Sequence, residues 1–176
     1  LYHAVGSILP HDSYGISIDP ELFERHMAVL AQRQRLSVVA LQEGLDCSAP
    51  LSVAVTFDDG YRDNLIVAAP ILIKYKIPFS VFVTSSFISH NHSSSYLTAA
   101  ELRELAALPG VTIGSHGSTH APLANCDDAT LREELHGSRV HLEDVLGRPV
   151  LAISYPHGSV DRRVAAAAAK APPAKK

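Results

Sequence analysis

Residues 52–60 read SVAVTFDDG, a run of β-branched and aromatic residues that ends at two adjacent aspartates and a glycine. The apolar part, Ser52 to Phe57, predicts a buried strand. Asp58-Asp59-Gly60 alone is typical of a turn, because Asp-Gly pairs are common at chain reversals. Two neighbouring carboxylates at the end of a buried strand nevertheless repel each other unless a proton or a cation separates them. The stretch therefore predicts a strand and a functional site at its carboxyl end.

Short strands alternate with helices on both sides of this stretch. The strands are predicted at Leu1–Val5, Ser37–Val39, Ser52–Phe57, Phe79–Val83, Val111–Gly114 and Val150–Tyr155. One helix is predicted at Pro20–Gln32 with Asp19 as its cap, and a second at Asn64–Tyr75, where Pro70 should kink or shift it. A third begins at the capping box Thr98-Ala-Ala-Glu101 and ends at Leu108. A fourth runs from Thr130 to Leu146, and Gly147 ends it. Since each crossover between parallel strands needs a helix, this order predicts an α/β fold with parallel strands.

Polar residues stand at the ends of several predicted strands. They are His3, Asp58 and Asp59, His116 and His120, and Tyr155 to Gly158. Folds of this kind bind ligands at the carboxyl ends of their strands. We therefore expect these residues to share one face of the molecule.

His116 and His120 are four residues apart, with the small residues Gly117 and Ser118 between them. A pair at this spacing can equally well be two surface histidines. Beside one carboxylate from another strand, the two imidazoles would complete a ligand set that suits Zn²⁺ or a similar cation. The other carboxylate of the aspartate pair would then be free to act as a general base on water.

The bulk composition limits the classes of protein to consider. The chain has 176 residues, of which 47% are hydrophobic and 19% charged, and this indicates one globular domain. A net charge of −3 gives no reason to expect a nucleic-acid partner. No run of 18 apolar residues predicts a membrane span. Cys47 and Cys126 lack CxxC spacing, so a disulfide framework is not expected and the redox compartment stays open.

The motifs resemble those of a known family. Thr56-Phe57-Asp58-Asp59-Gly60, the His116 and His120 pair and Tyr155-Pro156-His157-Gly158 are similar to the first three motifs of the polysaccharide deacetylases, the NodB-homology domain of carbohydrate esterase family four. The opening Leu1-Tyr2-His3-Ala4-Val5 is similar to the start of the subgroup that contains poly-N-acetylglucosamine deacetylases. The resemblance covers residues 1–165 and implies a distorted, incomplete (β/α) barrel that lacks its C-terminal units. A low-complexity Ala/Pro/Lys tail is expected at 166–176.

The resemblance also implies an activity, the removal of N-acetyl groups from an N-acetylated polysaccharide or oligosaccharide of the N-acetylglucosamine type. Asp58 matches the family's catalytic base. Asp59, His116 and His120 match its ligands for a divalent metal, with Zn²⁺ expected. The resemblance also implies an oxyanion donor at the backbone N–H of His157, on a loop shaped by Tyr155 and Pro156. Arg62, just after the aspartate turn, could contact a carboxylate or the substrate, and it could equally be a solvated arginine at the start of a helix.

Two parts of the family pattern are absent from the sequence. The third motif usually has an arginine ahead of its proline, and residues 150–155 contain none. The last motif, of the Leu-x-x-His type, supplies the histidine that protonates the leaving amine, and no residue after Tyr155 matches it. His157 and His3 are therefore the candidate acids; otherwise His3 is a structural or substrate-contacting residue.

Two further hypotheses stay open at the level of the sequence. The same site could hydrolyse a cyclic amide or another small acylated molecule. Alternatively, the domain could be a catalytically impaired carbohydrate-binding relative, which the missing last motif favours and the presence of both aspartates opposes. An exported polymer as substrate would place the protein in the periplasm or outside the cell, and any other substrate would leave it in the cytoplasm. The oligomeric state is left open.

The other histidines carry weaker signals. His90 and His92 lie in a serine-rich stretch that predicts an exposed loop. We expect the rest to be structural or solvent-exposed, namely His11, His26, His136 and His141.

Overall fold

The computed structural model describes residues 1–9, 12–32, 37–41, 51–88 and 95–170. Within these ranges, seven short strands pair in parallel, and this confirms the α/β class. They are β1 (Ala4–Val5) with β2 (Ser17–Ile18), β3 (Ser37–Val38) with β4 (Ser52–Val53), and the three-stranded sheet β5 (Val55–Phe57), β6 (Phe79–Val83) and β7 (Val111–Ser115).

Helices connect and cover the strands. The α-helices are α1 (Pro20–Gln32), α2 (Ala69–Lys74), α3 (Ala99–Ala107), α4 (Asp128–Arg132), α5 (Ser138–Leu146) and α6 (Arg162–Lys170). The described ranges contain two π-helical segments, Asn64–Ala68 before α2 and Glu133–Gly137 between α4 and α5. Short 3₁₀ turns are found at Ser85–Phe87, Leu123–Asn125 and Pro156–Gly158.

The run from Ser52 to Phe57 forms two strands, so the prediction of one continuous strand is wrong. β4 pairs with β3, whereas β5 pairs with β6. Because the two halves have different neighbours, the strand is interrupted at Ala54. The buried half is β5, which leads directly into the two aspartates.

Phe57, at the end of β5, is the centre of an aromatic group in the core. It is fully buried, and its ring centroid lies 5.7 Å from that of Tyr2 and 5.8 Å from those of Phe23 and Phe79. The N-terminal segment pairs with β5 here, since the Tyr2 N–H donates to the Thr56 carbonyl at 2.8 Å. The Asp58 N–H in turn donates to the Tyr2 carbonyl at 3.0 Å. The N-terminal segment therefore fixes the start of the aspartate turn.

The helix predicted at Asn64–Tyr75 begins as a π-helical segment. The Ala69 N–H donates to the Asn64 carbonyl, five residues back. Pro70, which follows, has no N–H to continue an α-helical ladder. The wider π-helical turn accommodates the N–H that Pro70 lacks, and it is the helix irregularity that was predicted at this proline.

The capping predictions are confirmed for α1 and α3. Asp19 Oδ1 accepts hydrogen bonds from the N–H groups of Glu21 and Leu22 at the start of α1. The Thr98 hydroxyl accepts from the Glu101 N–H at 3.2 Å, and the Glu101 carboxylate accepts from the Thr98 N–H at 3.0 Å.

The long helix predicted from Thr130 begins at Asp128, because Asp127 caps it by accepting from the Thr130 N–H at 2.8 Å. Its last residue is Leu146, and Gly147 follows it as predicted.

Residues 150–155 do not form the predicted strand. Ile153 makes a single parallel bridge with Ser115, flanked by two backbone hydrogen bonds of 2.9 Å. At the start of the segment, the Val150 N–H donates to the Glu143 carboxylate of α5 at 2.9 Å instead of to a neighbouring strand. At its other end, β7 stops at Ser115, the residue of the bridge. The bridge nevertheless places Ser154 beside the end of β7.

The C-terminal helix α6 packs on a second apolar cluster. Val164 is fully buried and contacts the cluster of Leu123, Leu131 and Leu135. The helix continues to Lys170, so residues 166–170 of the predicted tail are helical, and 171–176 lie outside the described residues. The domain boundary near residue 165 stays a prediction. In the ranges that the structure describes, no helix combines the length and the apolar character needed to cross a membrane.

Truncating Phe57 should be costly, because its ring fills the space between three other aromatic rings. Phe57→Ala should lower the free energy of unfolding by about 3–5 kcal/mol. Tyr14→Ala is the matched control, because it truncates an aromatic side chain that is 89% exposed. It should change the free energy of unfolding by less than about 0.5 kcal/mol. Urea unfolding of both variants measures this, and Phe57→Leu provides a milder change at the same position. Equal losses of unfolding free energy in Phe57→Ala and Tyr14→Ala would contradict the packing described.

Candidate metal centre and catalytic site

Asp59, His116 and His120 come together at the carboxyl ends of β5 and β7. Asp59 Oδ1 lies 3.3 Å from His120 Nε2 and 3.5 Å from His116 Nε2. One ligand atom from each residue lies within 4.8 Å of the other two. The separations of 3.3 Å and 3.5 Å between Asp59 and the imidazole nitrogens suit ligands of one cation at the usual distances of about 2.0–2.2 Å.

The state of Asp59 supports a cation at this position. Its Oδ1 atom is buried and has no hydrogen-bond partner among the described residues. The two imidazole nitrogens lie beyond the usual range of about 2.7–3.2 Å for such bonds. A buried carboxylate oxygen without a partner costs free energy. Two imidazoles and a carboxylate are a ligand set that Zn²⁺ prefers, so the residues fit a metal of this type.

A hydrogen bond fixes the tautomer of His116. Its Nδ1 atom lies 2.9 Å from the Ser154 carbonyl oxygen, which can only accept, so Nδ1 carries the proton. The Nε2 lone pair is then free on the side of the ring that faces Asp59. Carbonyl groups commonly orient metal-binding histidines in this way.

His120 lies closer to the surface, with 26% of its side chain exposed. Burial lowers the pKa of His120, while Asp59 acts in the opposite direction. The lowered pKa favours the neutral ring, which is the form that binds a metal.

Asp58 has a different environment from Asp59. It is buried, its Oδ2 accepts a hydrogen bond from the Ser154 hydroxyl at 3.1 Å, and its Oδ1 has no partner among the described residues. Burial raises the pKa of Asp58, and the nearby His116 and the Ser154 hydroxyl oppose this rise. A buried carboxylate with a raised pKa and one free oxygen is suited to accept a proton.

Backbone strain is concentrated at the site. Among the described residues, four that are not glycine have a positive φ, and three of them are Asp59 (74°), His120 (65°) and His157 (58°). The left-handed region costs such residues free energy, and strain of this kind clusters at functional sites. Gly117, between the two histidines, also has φ of 77°, and a Cβ there would lie 2.8 Å from Glu134 Oε2. The loop therefore requires glycine at this position.

The two candidate acids lie beside the three ligands. The exposed His157 ring has its centroid 4.4 Å from that of His120. His3 is half-buried, and it is near enough to influence the pKa of Asp58 and of His120. Of the residues predicted to shape the third-motif loop, Pro156 is buried and Tyr155 packs on the cluster under α6.

Arg62 is engaged within the protein. Its Nε donates to Glu101 Oε1 at 2.7 Å, and Glu101 is also the partner of Thr98 in the capping box of α3. Of the alternatives for Arg62, steadying a carboxylate is the one observed, and its contact with a substrate stays a prediction.

Ser154 and Glu134 were not predicted from the sequence. Ser154 was hidden in a predicted strand, although its carbonyl orients His116 and its hydroxyl contacts Asp58. Glu134 is buried, and its carboxylate accepts hydrogen bonds from the loop that joins the two histidines. The sequence signal that could have identified Glu134 was the position of an acidic residue on the same helix face as the apolar Leu131 and Leu135.

The remaining histidines lie away from this cluster or outside the described residues. His26, His136 and His141 are exposed, as expected. The other predictions fall outside the ranges that the structure describes, namely His11, His90, His92 and Cys47, while Cys126 is a free cysteine.

Comparisons with known proteins agree on one family. A family model described as polysaccharide deacetylase matches residues 46–173. YxkH of Bacillus subtilis (strain 168), whose name places it among the polysaccharide deacetylases, is 27% identical over 175 residues. The match covers 97% of this chain and 60% of YxkH.

Solved deacetylase structures have a similar fold. BC0361, a polysaccharide deacetylase from Bacillus cereus, matches with a TM-score of 0.82 and 27% identity over 97% of this chain and 54% of its own. The Streptococcus pyogenes deacetylase PplD, in complex with acetate, matches with a TM-score of 0.81 and 22% identity. The match covers 96% of this chain and 77% of PplD. IcaB from Ammonifex degensii matches with a TM-score of 0.74 and 23% identity, over 94% of this chain and 76% of IcaB. The chain thus spans less than two thirds of YxkH and of BC0361.

Removing one imidazole should disrupt the site. His116→Ala should weaken Zn²⁺ binding by more than about 100-fold, because changes outside the ligand set alone cost about 10–100-fold. The metal content after dialysis against Zn²⁺ and a competing chelator measures this. His141→Ala, on an exposed face of α5, is the control and should bind like the wild type. Equal metal content in the two variants would rule out His116 as a ligand.

Proposed function

The chain belongs to the polysaccharide deacetylase family, and on this basis we propose that it is a metal-dependent hydrolase that removes N-acetyl groups from an N-acetylated glycan of the N-acetylglucosamine type. The observation that carries the proposal is the pair of adjacent carboxylates with different surroundings. Asp59 faces two imidazole nitrogens, whereas Asp58 is bonded to Ser154 and keeps one oxygen without a partner among the described residues.

Asp59, His116 and His120 are the proposed ligands, and Zn²⁺ is the proposed cation because imidazole and carboxylate donors suit it. When bound, such a cation supplies a Lewis acid for the acetamide carbonyl and lowers the pKa of water. Asp59 Oδ1 would gain the partner that it lacks among the described residues.

Asp58 is the proposed general base. Its Oδ1 atom would accept a proton from the attacking water, while the Ser154 hydroxyl holds Oδ2 at 3.1 Å and thereby orients the carboxylate. Because burial raises the pKa of Asp58, the carboxylate binds this proton more readily than an exposed aspartate would.

The third-motif loop supplies the remaining proposed groups. The backbone N–H of His157 is the proposed donor to the developing oxyanion, on a loop shaped by Tyr155 and Pro156. His3 and His157 are the two proposed acids for the leaving amine, since both lie beside the site.

The shape of the site favours a glycan over a small amide. His120 is partly exposed and His157 is exposed, so the ligand cluster opens to solvent. The half-buried Phe87 ring lies 6.1 Å from His120 and 4.6 Å from Tyr96, centroid to centroid. Aromatic faces beside an open site suit the apolar faces of sugar rings. The names of YxkH and BC0361, both polysaccharide deacetylases, and the acetate bound by PplD support the same substrate class.

We also propose a finer description of the fold. The parallel strands and their helices suit a distorted, incomplete (β/α) barrel, the architecture implied by the resemblance to NodB-type domains.

Replacing the proposed base should abolish turnover without removing the metal. Asp58→Asn keeps the shape of the side chain and an oxygen for Ser154, but an amide cannot accept the proton. We expect the release of acetate from chitooligosaccharides to fall by about 10²–10⁴-fold, with the Zn²⁺ content unchanged. His141→Ala serves as the active control.

Two results of this assay would contradict the proposal. Wild-type activity in Asp58→Asn would remove the assignment of the base. Failure of the metal-loaded wild type on chitooligosaccharides and on N-acetylglucosamine polymers would favour the impaired carbohydrate-binding relative instead.

Removing the Ser154 hydroxyl should shift the pH profile. The hydroxyl lowers the pKa of Asp58, so Ser154→Ala should raise it. Since the base works only when deprotonated, the acidic limb of kcat/KM should move to higher pH. The Ser154 carbonyl that orients His116 is retained, so metal affinity should not change. The exposed Ser95→Ala is the control, and an acidic limb that stays in place or moves to lower pH would contradict the contact between Ser154 and Asp58.

A further inference from the structure

The loop from His116 to Thr119 is held by a hydrogen bond from each of its four backbone N–H groups. The His116 N–H donates to the Val83 carbonyl at 2.9 Å, and the Gly117 N–H donates to the Ser115 hydroxyl at 3.2 Å. The next two, those of Ser118 and Thr119, both donate to the carboxylate of Glu134, at 2.8 Å and 3.0 Å. One side chain therefore satisfies half of the loop's backbone donors.

Glu134 is a buried carboxylate that forms no ion pair within the part of the chain that the structure describes. It is 2% exposed, and none of the ion pairs found among the described residues involves it. The Thr119 hydroxyl also donates to it, so the carboxylate is stabilised by the hydrogen-bond donors of the loop. Hydrogen bonds to a charged group are stronger than those between neutral groups, which explains how the loop can hold this charge.

The π-helical segment Glu133–Gly137 positions Glu134. The Ser138 hydroxyl donates to the Glu134 carbonyl at 2.6 Å and lies 2.8 Å from the Ser115 hydroxyl. Ser115 in turn accepts from the Gly117 N–H. The helix and the end of β7 are thus connected twice, once through the Glu134 side chain and once through the two serines.

From these contacts we infer that Glu134 is a positioning residue for the metal centre, and that its buried carboxylate holds the histidine loop in the geometry that the cation requires. The inference rests on the proposed function, because it presumes that His116 and His120 bind a metal. Glu134 contacts the backbone between the two histidines and would act through it.

The charge itself matters for this role. Each carboxylate oxygen can only accept, and the three donors of Ser118 and Thr119 converge on the pair of oxygens. Glutamine would present one NH₂ group toward N–H donors and lose at least one of these bonds. Glu134→Gln should therefore weaken binding of Zn²⁺ and Co²⁺ by about 10–100-fold, the effect typical of groups that orient metal ligands.

The test compares Glu134→Gln with Glu133→Gln in the full chain. Glu133 is the neighbouring residue and is exposed, so it controls for the change of charge on the same helix. Metal-free samples, shown by circular dichroism to be folded at low temperature, are titrated with Zn²⁺ against a chelating dye. Co²⁺ is titrated separately, and its visible absorption spectrum reports the ligand geometry, which a purely stabilising residue would not change.

Weaker binding and an altered Co²⁺ spectrum in folded Glu134→Gln, with wild-type behaviour in Glu133→Gln, support the inference. Wild-type affinity and spectrum in Glu134→Gln overturn it and leave the proposed function standing. A wild-type chain that binds neither metal overturns both.

If Glu134→Gln does not fold, the metal affinity of Thr119→Val tests the inference instead. It removes only the hydroxyl donor, and an affinity lowered by about 2–10-fold is expected from the loss of one hydrogen bond. An unchanged affinity in Thr119→Val would overturn the inference in that case.

Discussion

The structure depends on a conflict at the end of β5, where two adjacent carboxylates are buried together. Asp58 and Asp59 are only 5% and 6% exposed, so both are largely removed from water, and like charges at this distance repel. The surrounding elements resolve the conflict by giving the two groups different partners. Burial raises the pKa of Asp58 and the Ser154 hydroxyl orients its carboxylate, while the histidine loop turns two imidazole nitrogens toward Asp59.

Three segments distant in sequence are needed for this arrangement. The N-terminal segment pairs with β5 through Tyr2, β6 lies between β5 and β7, and residues 152–154 pair with the end of β7. Parallel pairing aligns the strand ends, so the aspartates, histidines and Ser154 meet on one face without long loops. The helical segment from 128 to 146 adds the carboxylate that holds the histidine loop. These elements together account for the meeting of Asp59, His116 and His120 beside Asp58.

Local sequence signals were sufficient for much of the fold and for the centre of the site. The caps of α1 and α3, the strand Phe79–Val83 and the stop at Gly147 depend on neighbouring residues, and each was predicted. The break at Ala54 and the loss of the strand at 150–155 could not be predicted, because they depend on distant partners such as Glu143. Ser154 and Glu134 were missed for the same reason, since their roles exist only once the chain has folded.

The central claim is that the two aspartates divide the work, with Asp59 as a ligand and Asp58 as a base. The most direct measurement is a crystal structure of the Zn²⁺-loaded protein with anomalous data collected at the zinc edge. We expect one strong anomalous peak bonded to Asp59 Oδ1, His116 Nε2 and His120 Nε2, with the carboxylate of Asp58 unbonded to the ion and still in contact with Ser154. A peak bonded to Asp58, or no peak between the two histidines, would contradict the account.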